Sequence, residues 1–220
     1  MPKDIPIIQP PKLKKNKLIE GLPGGYVAAK EQYRALLLSG MDLSNQVAAH
    51  SSFEEVLFSQ VNMSGTQWEA LRLEDARLSQ CDLMTANWYE VGVYRTEFIG
   101  CRMTGFLAAE ARFQDVLFKD CQINLAQFRF ATCKSVRFEH CDLSEADLQQ
   151  ADLSHVVLSD CDLRNAELSG CKLSGVDFSS CNLDGARVGI NELRGATINL
   201  QQVVSLVEAL GITIDFQGKE

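Results

Sequence analysis

From Leu43 to Ile198 an apolar residue recurs at every fifth position, 32 times without an insertion. Through "CDLSEADLQQADL" the series runs Leu143, Leu148 and Leu153, with the small residues Cys141, Ala146 and Ala151 two places ahead of them. A helix repeats its buried face every ~3.6 residues and a strand every ~2, so neither element alone keeps these positions on one side. Two alternate residues pointing inward, then three mostly polar ones, fit a short extended segment that turns before the next begins.

A longer period lies on top of the first. Cys81, Cys101, Cys121, Cys141, Cys161 and Cys181 recur every 20 residues, as do Phe98, Phe118 and Phe138, a series that Phe58 and Phe178 rejoin. Twenty is four fives, which predicts an all-β solenoid with four sides, each coil stacked on the last and like side chains forming ladders. Residues 41–200 then supply about eight coils, a rod about 38 Å long at roughly 4.8 Å per coil. Central side chains fill its axis and leave no room for a general cavity. At Phe106 and Ala108 the large and small residues have exchanged places, which conserves volume. Trp68 and Trp88, neighbours on one face between Ala48 and Ala108, predict local bulges.

A stack of coils exposes raw edges that must be covered. Over residues 201–220 the sequence predicts a helix and a short strand. Asn199 suits the N-cap with Gln202 three places on, Leu200, Val203, Val204, Val207 and Leu210 form an apolar stripe, and Ile212, Ile214 and Phe216 alternate after Gly211. Residues 21–40 predict an N-terminal cap with a helix over "YVAAKEQYRALLL", Tyr26 to Leu38. Residues 1–20 combine prolines with Lys12, Lys14, Lys15 and Lys17 and read as a flexible, solvated basic arm.

Charge divides the chain. Residues 1–40 hold seven Lys/Arg and three Asp/Glu, net +4, and residues 41–220 hold 14 and 26, net −12. An acidic body argues against direct nucleic-acid binding, because phosphate-binding surfaces are basic. No apolar run approaches the roughly 18 residues of a membrane span, so a cytoplasmic protein without membrane contact is expected. All eight cysteines fall at inward positions, seven at the small site and Cys133 at the central one, where a thiol acts as a small hydrophobe. No zinc spacing, nucleophile triad or phosphate-binding glycine loop is present, and the unbroken phase leaves no insertion to build a pocket. The expectation is a binding protein that is not an enzyme, with no catalytic residue, metal or cofactor.

The stretches "CDLSEADLQQADLS", "CDLRNAELSGCKL" and "CNLDGARV" resemble the A(D/N)LXX motif of the pentapeptide-repeat proteins over about residues 41–200. The resemblance implies a right-handed quadrilateral β-helix. Some members of that family mimic DNA, bind bacterial type II topoisomerases and confer quinolone resistance or immunity to gyrase poisons, which implies DNA gyrase or topoisomerase IV as partner. Gyrase-binding members that end in a similar helix dimerise through it, implying a homodimer through Leu200, Val203, Val204, Val207, Leu210, Ile212 and Ile214; a monomer with a folded-over cap stands as the alternative. Some gyrase-protecting members also carry loops between coils, and this chain has none.

The charge pattern fits mimicry only in part. Net charge is −4 over residues 41–80, zero over 81–140 and −6 over 141–200, ten charges in all. A duplex of the same length carries about 22, one per roughly 1.7 Å. The candidate partner-binding acids are Asp82, Asp142, Glu145, Asp147, Asp152, Asp160, Asp162, Glu167, Asp177 and Asp184, nine of them in the last three coils. Asp82, Asp142 and Asp162 share one face, interrupted by Arg102. Aspartate also suits the turn position before a central leucine, so both readings stand. A general interaction scaffold without mimicry is the alternative function, with Arg102, Arg112, Arg129 and Arg137 in its neutral middle.

Overall fold

Among the described residues all but a few five-residue repeats end in a left-handed residue, His155, Ser180 and Ile190 being exceptions. Non-glycine positions such as Asn45, Gln60, Asp75, Thr85, Leu125 and Phe130 have φ between 52° and 59°, and every non-glycine residue of positive φ is numbered a multiple of five. A left-handed residue after two extended ones swings the chain through a corner, and four corners close a square coil. The cost of holding an L-residue there, roughly 1–2 kcal/mol, is met by the inter-coil hydrogen bonds and core that the corner makes possible.

In the computed structural model, which describes residues 7–13, 18–209 and 213, the chain is a parallel β-solenoid of about seven turns with one C-terminal helix. Its strands are β1 (Ile19–Glu20), β2 (Gln32–Arg34), β3 (Leu36–Ser39), β4 (Val47–Ala49), β5 (Ser52–Glu54), β6 (Leu57–Ser59) and β7 (Gln67–Glu69). The longer β8 (Arg72–Ser79), β9 (Gly92–Ile99), β10 (Arg112–Lys119) and β11 (Thr132–Glu139) follow, then β12 (Val156–Ser159) and α1 (Leu200–Ala209). From β2 onward every pairing is parallel with partners 20 residues apart, as in Phe98↔Phe118 and Phe118↔Phe138. Isolated bridges keep the same step on the remaining faces, from Asp42↔Asn62 to Asp162↔Asn182. The square cross-section inferred from the cysteine and phenylalanine spacing is the observed one.

Core ladders follow from that register. Phe98, Phe118 and Phe138 stack with centroids 4.8 and 4.7 Å apart and planes within 13° and 6°. All eight cysteines are buried free thiols. Five of them donate to the carbonyl 23 residues back: Cys101 to Leu78, Cys121 to Phe98, Cys141 to Phe118 and Cys161 to Phe138 at 3.4–3.5 Å, and Cys171 to Leu148 at 2.8 Å. A thiol is small enough for the site and supplies a weak donor where alanine would supply none. Burial pushes the Cys133 thiol up to about 12, and Phe106 and Ala108 both bury fully in their exchanged places.

Three expectations are corrected. The helix over Tyr26–Leu38 is absent: β2 and β3 occupy that stretch and pair with β5 and β6. Tyr33 and Leu38 continue the five-residue series backward from Leu43. Backbone groups of the next coil need partners, and that demand outweighs the helix propensity of the Ala, Leu and Glu residues. The bulges expected at the tryptophans are absent too. Gln67↔Asn87↔Leu107 keep register, the rings of Trp68 and Trp88 stack at 5.2 Å, and Trp88 Nε1 donates to Thr66 Oγ1 at 3.1 Å.

The third correction concerns the basic arm, which is docked where it is described. The Gln9 amide donates to Asp115 Oδ1 at 3.4 Å and the Lys12 amide to Asp75 Oδ1 at 3.0 Å. β1 then pairs with β3 at the first coil.

Candidate partner-binding surface

The residue before a central apolar side chain sits on the outside of a coil, and in ten repeats where it is Asp, Asn or Glu its side chain folds over the next corner to accept the amide two residues on. Asp142 Oδ1 accepts from the Ser144 amide and hydroxyl at 3.0 and 2.6 Å. Asp82, Asp147, Asp152, Asp162 and Asp177 accept the amide two residues on in the same way, at 2.8–3.2 Å, and Glu167 takes that of Ser169 at 3.2 Å. Seven of the ten candidate acids therefore have a turn-stabilising role inside their own repeat.

Their placement divides them further. Asp82, Asp142 and Asp162 lie on one bridge ladder with Arg102 between them, as the spacing implied. Asp147 and Glu167 are on a second ladder and Asp152 on a third, while Asp177 pairs with Thr197 on the fourth. Glu145 and Asp160 occupy left-handed corners with φ of 56° and 52°. Asp184 donates its amide to Asn182 and accepts from Ser205 of α1. The structure thus spreads the acids around the C-terminal coils and does not gather them into one patch.

Cations neutralise part of the set. Asp82 meets Arg102 at 3.3 Å, Asp152 meets Lys172 at 2.8 Å, Asp162 meets Arg164 at 2.6 Å and Glu167 meets Arg187 at 3.5 Å. Arg129 pairs with Asp147, and His140 lies 3.9 Å from Asp160. The Arg164 hydrogen bonds hold the Asp162 carboxyl below its ordinary range. At Asp152 burial works upward, but bonds from Lys172 and Ser154 outweigh it and the net shift is downward. Among the described residues Asp142, Glu145, Asp177 and Asp184 have no ion pair.

At the C-terminal end the capping box is in place. Gln202 N donates to Asn199 Oδ1 at 2.9 Å and Asn199 N to Gln202 Oε1 at 2.8 Å. The buried Gln202 side chain also donates to the carbonyls of Phe178 and Cys181, sealing the last coil. Leu200 is 81% exposed and Val203 38% exposed, while Val204 and Val207 are half-buried. Leu210, Ile212 and Ile214 lie outside the described residues. Between α1 and the last coil runs a groove of about 410 Å³, lined by Leu183, Val188, Ile190, Leu193 and Leu206 with Asp184 and Arg187 as its charged groups.

Among the described residues no cluster of His, Cys, Asp or Glu could hold a metal ion, and no helix is long and apolar enough to cross a membrane. One charged cluster escaped the sequence reading. Arg95 donates to Asp75 through Nε and Nη2 at 2.7 and 2.8 Å and also meets Glu74. The 20-residue step from 75 to 95 was the available signal for it.

Stacked square coils with a turn-bound outer surface define a repeat protein of the solenoid class. The pentapeptide repeat region model matches residues 71–139 and 131–206, and that for pentapeptide repeats (8 copies) matches 51–87; the chain belongs to the pentapeptide-repeat family. Comparison with curated proteins gives no match. Among solved structures it is similar to HetL, a pentapeptide repeat protein involved in heterocyst differentiation regulation from the cyanobacterium Nostoc sp., at 17% identity and TM-score 0.53, covering 82% of this chain and 89% of that one. Full-length QnrB1, a plasmid-mediated fluoroquinolone resistance protein, matches at 21% identity and TM-score 0.37, over 82% and 100% of the two chains. These likenesses concern the fold.

Proposed function

We propose that the protein is a non-enzymatic binding rod of the cytoplasm whose C-terminal three coils engage a basic surface on a partner protein. DNA gyrase or topoisomerase IV is the partner that the sequence resemblance favours, with the rod as a partial DNA mimic. The observation that carries the reading is the net charge of −6 over residues 141–200, with Asp142, Glu145, Asp177 and Asp184 among the acids that no cation neutralises. Free thiols throughout the core fit a reducing compartment. The exposed Leu200 and Val203 support a homodimer through α1.

A second reading, an interaction scaffold without mimicry, is favoured by a different observation: six of the ten acids have a basic partner, and seven brace their own turns. A gyrase supercoiling assay with and without a gyrase poison separates the two. Inhibition or protection at micromolar protein, lost when Asp142, Glu145, Asp177 and Asp184 become Asn or Gln, supports mimicry; no effect in either arm supports the scaffold. Light scattering on the wild type and on Leu200→Glu/Val203→Glu tests the dimer, and equal monomer masses reject it.

A further inference from the structure

Three contacts place the N-terminal segment along one edge of the rod. The amide of Gln9 meets Asp115, that of Lys12 meets Asp75, and that of Ile19 donates to the carbonyl of Ala35 at 2.7 Å. Residues 35, 75 and 115 belong to the same corner ladder, each with φ near 55°. The segment therefore runs back along the rod axis, against the direction in which the coils climb.

The spacing explains why it fits. From Gln9 to Lys12 is three residues, and Pro10 and Pro11 between them hold the backbone extended. Three residues at about 3.1 Å each advance about 9.3 Å in a polyproline-type chain. From Asp115 to Asp75 is two coils, about 9.6 Å at roughly 4.8 Å per coil. The two repeats match, so donors three apart meet carboxylates two coils apart without strain. Proline has no N–H, so Gln9 and Lys12 carry the only backbone donors in the stretch from 9 to 12, and both are used. Ile8 and Pro11, also three apart, are half-buried, whereas Ile7 is 88% exposed.

The receiving carboxylates are built for the purpose. Asp75 and Asp115 are 5% and 7% exposed. Arg95 grips Asp75 through both oxygens and fixes its direction, and Gln114 Nε2 lies 3.5 Å from Asp115 Oδ2. An oriented carboxylate accepting a backbone amide makes a strong, directional contact. The corner geometry by itself does not demand a carboxylate, since Ala35 and Ser135 occupy the same ladder, and at Asp75 the oxygen paired with Arg95 Nε also accepts the Lys12 amide.

From this geometry we infer that the Asp75–Asp115 corner is a recognition track for an extended peptide with two prolines between two amide donors. The chain's own residues 7–13 fill it in cis, and a partner protein's segment of the same pattern binds by displacing them. Self-occupancy then sets a threshold that a weakly matched segment does not cross.

Full-length protein tests this through amide exchange and peptide binding. In the wild type the Gln9 and Lys12 amides should exchange at least tenfold more slowly than in a free peptide of the sequence of residues 7–13. Asp115→Ala, which removes the acceptor, should restore fast exchange at Gln9 with core amides unchanged. Lys12→Pro deletes the donor to Asp75 without touching a coil; that variant should bind the fluorescently labelled 7–13 peptide at least tenfold more tightly than the wild type does. Adding Asp115→Ala to it should abolish binding. Free-peptide exchange rates at both amides in the wild type would overturn the inference, as would no binding to Lys12→Pro. Equal binding of a scrambled peptide with its prolines separated would also overturn it, assigning the contact to charge alone.

Discussion

Phe118 is the middle rung of the aromatic ladder, fully buried between Phe98 and Phe138 and in edge contact with Phe113 at 5.8 Å. Replacing it with alanine removes a whole ring and leaves a void walled by two coils that inter-coil hydrogen bonds keep apart. The site cannot collapse, which puts the cost at the upper end of the Phe→Ala range, about 4–5 kcal/mol. Phe118→Leu retains most of the volume and isolates the two stacked contacts, about 1–3 kcal/mol together. In a solenoid each coil touches only its neighbours. Phe98→Leu with Phe118→Leu should therefore show a coupling of about 0.5–1.5 kcal/mol, while Phe98→Leu with Phe138→Leu, about 9.6 Å apart, should add within about 0.5 kcal/mol. Urea unfolding followed by circular dichroism and by tryptophan fluorescence measures these values, and the two signals must coincide for two-state treatment to hold. A cost below about 2 kcal/mol for Phe118→Ala would refute the rigid-ladder reasoning. So would a Phe98/Phe138 coupling as large as that of adjacent rungs.

Further outcomes follow from local contacts. Asn199→Ala should destabilise α1 by about 1–2 kcal/mol through loss of the capping box, seen as faster amide exchange in residues 200–208 with the middle coils unaffected. The eight thiols should be silent to an aromatic disulfide reagent in the native protein and all react in denaturant; fast native reaction of any one would contradict its burial. Burial tends to raise the Asp75 carboxyl, but hydrogen bonds from Arg95 and the Lys12 amide outweigh it and hold the native value below the ordinary 3.8. Its stabilisation is thus complete above 3.8 and fades as pH falls through the depressed native value. Urea midpoints measured below pH 4 should drop less steeply in Asp75→Asn than in the wild type.

The square cross-section was legible because it depends on periodicity alone. One apolar phase and one cysteine ladder determine the number of sides, and every inward side chain announces its role by position. The capping box at Asn199 and Gln202 was legible for the same reason, since its partners are three residues apart. The first coil was not: "YVAAKEQYRALLL" is rich in helix formers, and only pairing with Ser52–Glu54 and Leu57–Ser59 decides it. The docked arm was hidden because its partners are 63 and 106 residues away and their fit rests on a match between two rises that neither segment displays by itself. For the acidic surface the pattern located the residues, while the fraction held by turns and ion pairs emerged only from the geometry.

Because pairing partners from β2 onward stand 20 residues apart, the coils tolerate length changes only in quanta. Losing one complete coil shortens the rod and returns every later side chain to its former face. Losing a single repeat of five instead rotates everything downstream by a quarter turn, carrying the row of Asp142 and Asp162 onto a neighbouring side and breaking the thiol column. Relatives that differ by whole coils can therefore share a binding face, whereas a single-repeat slip would redraw the entire exterior while leaving the interior chemistry almost unchanged.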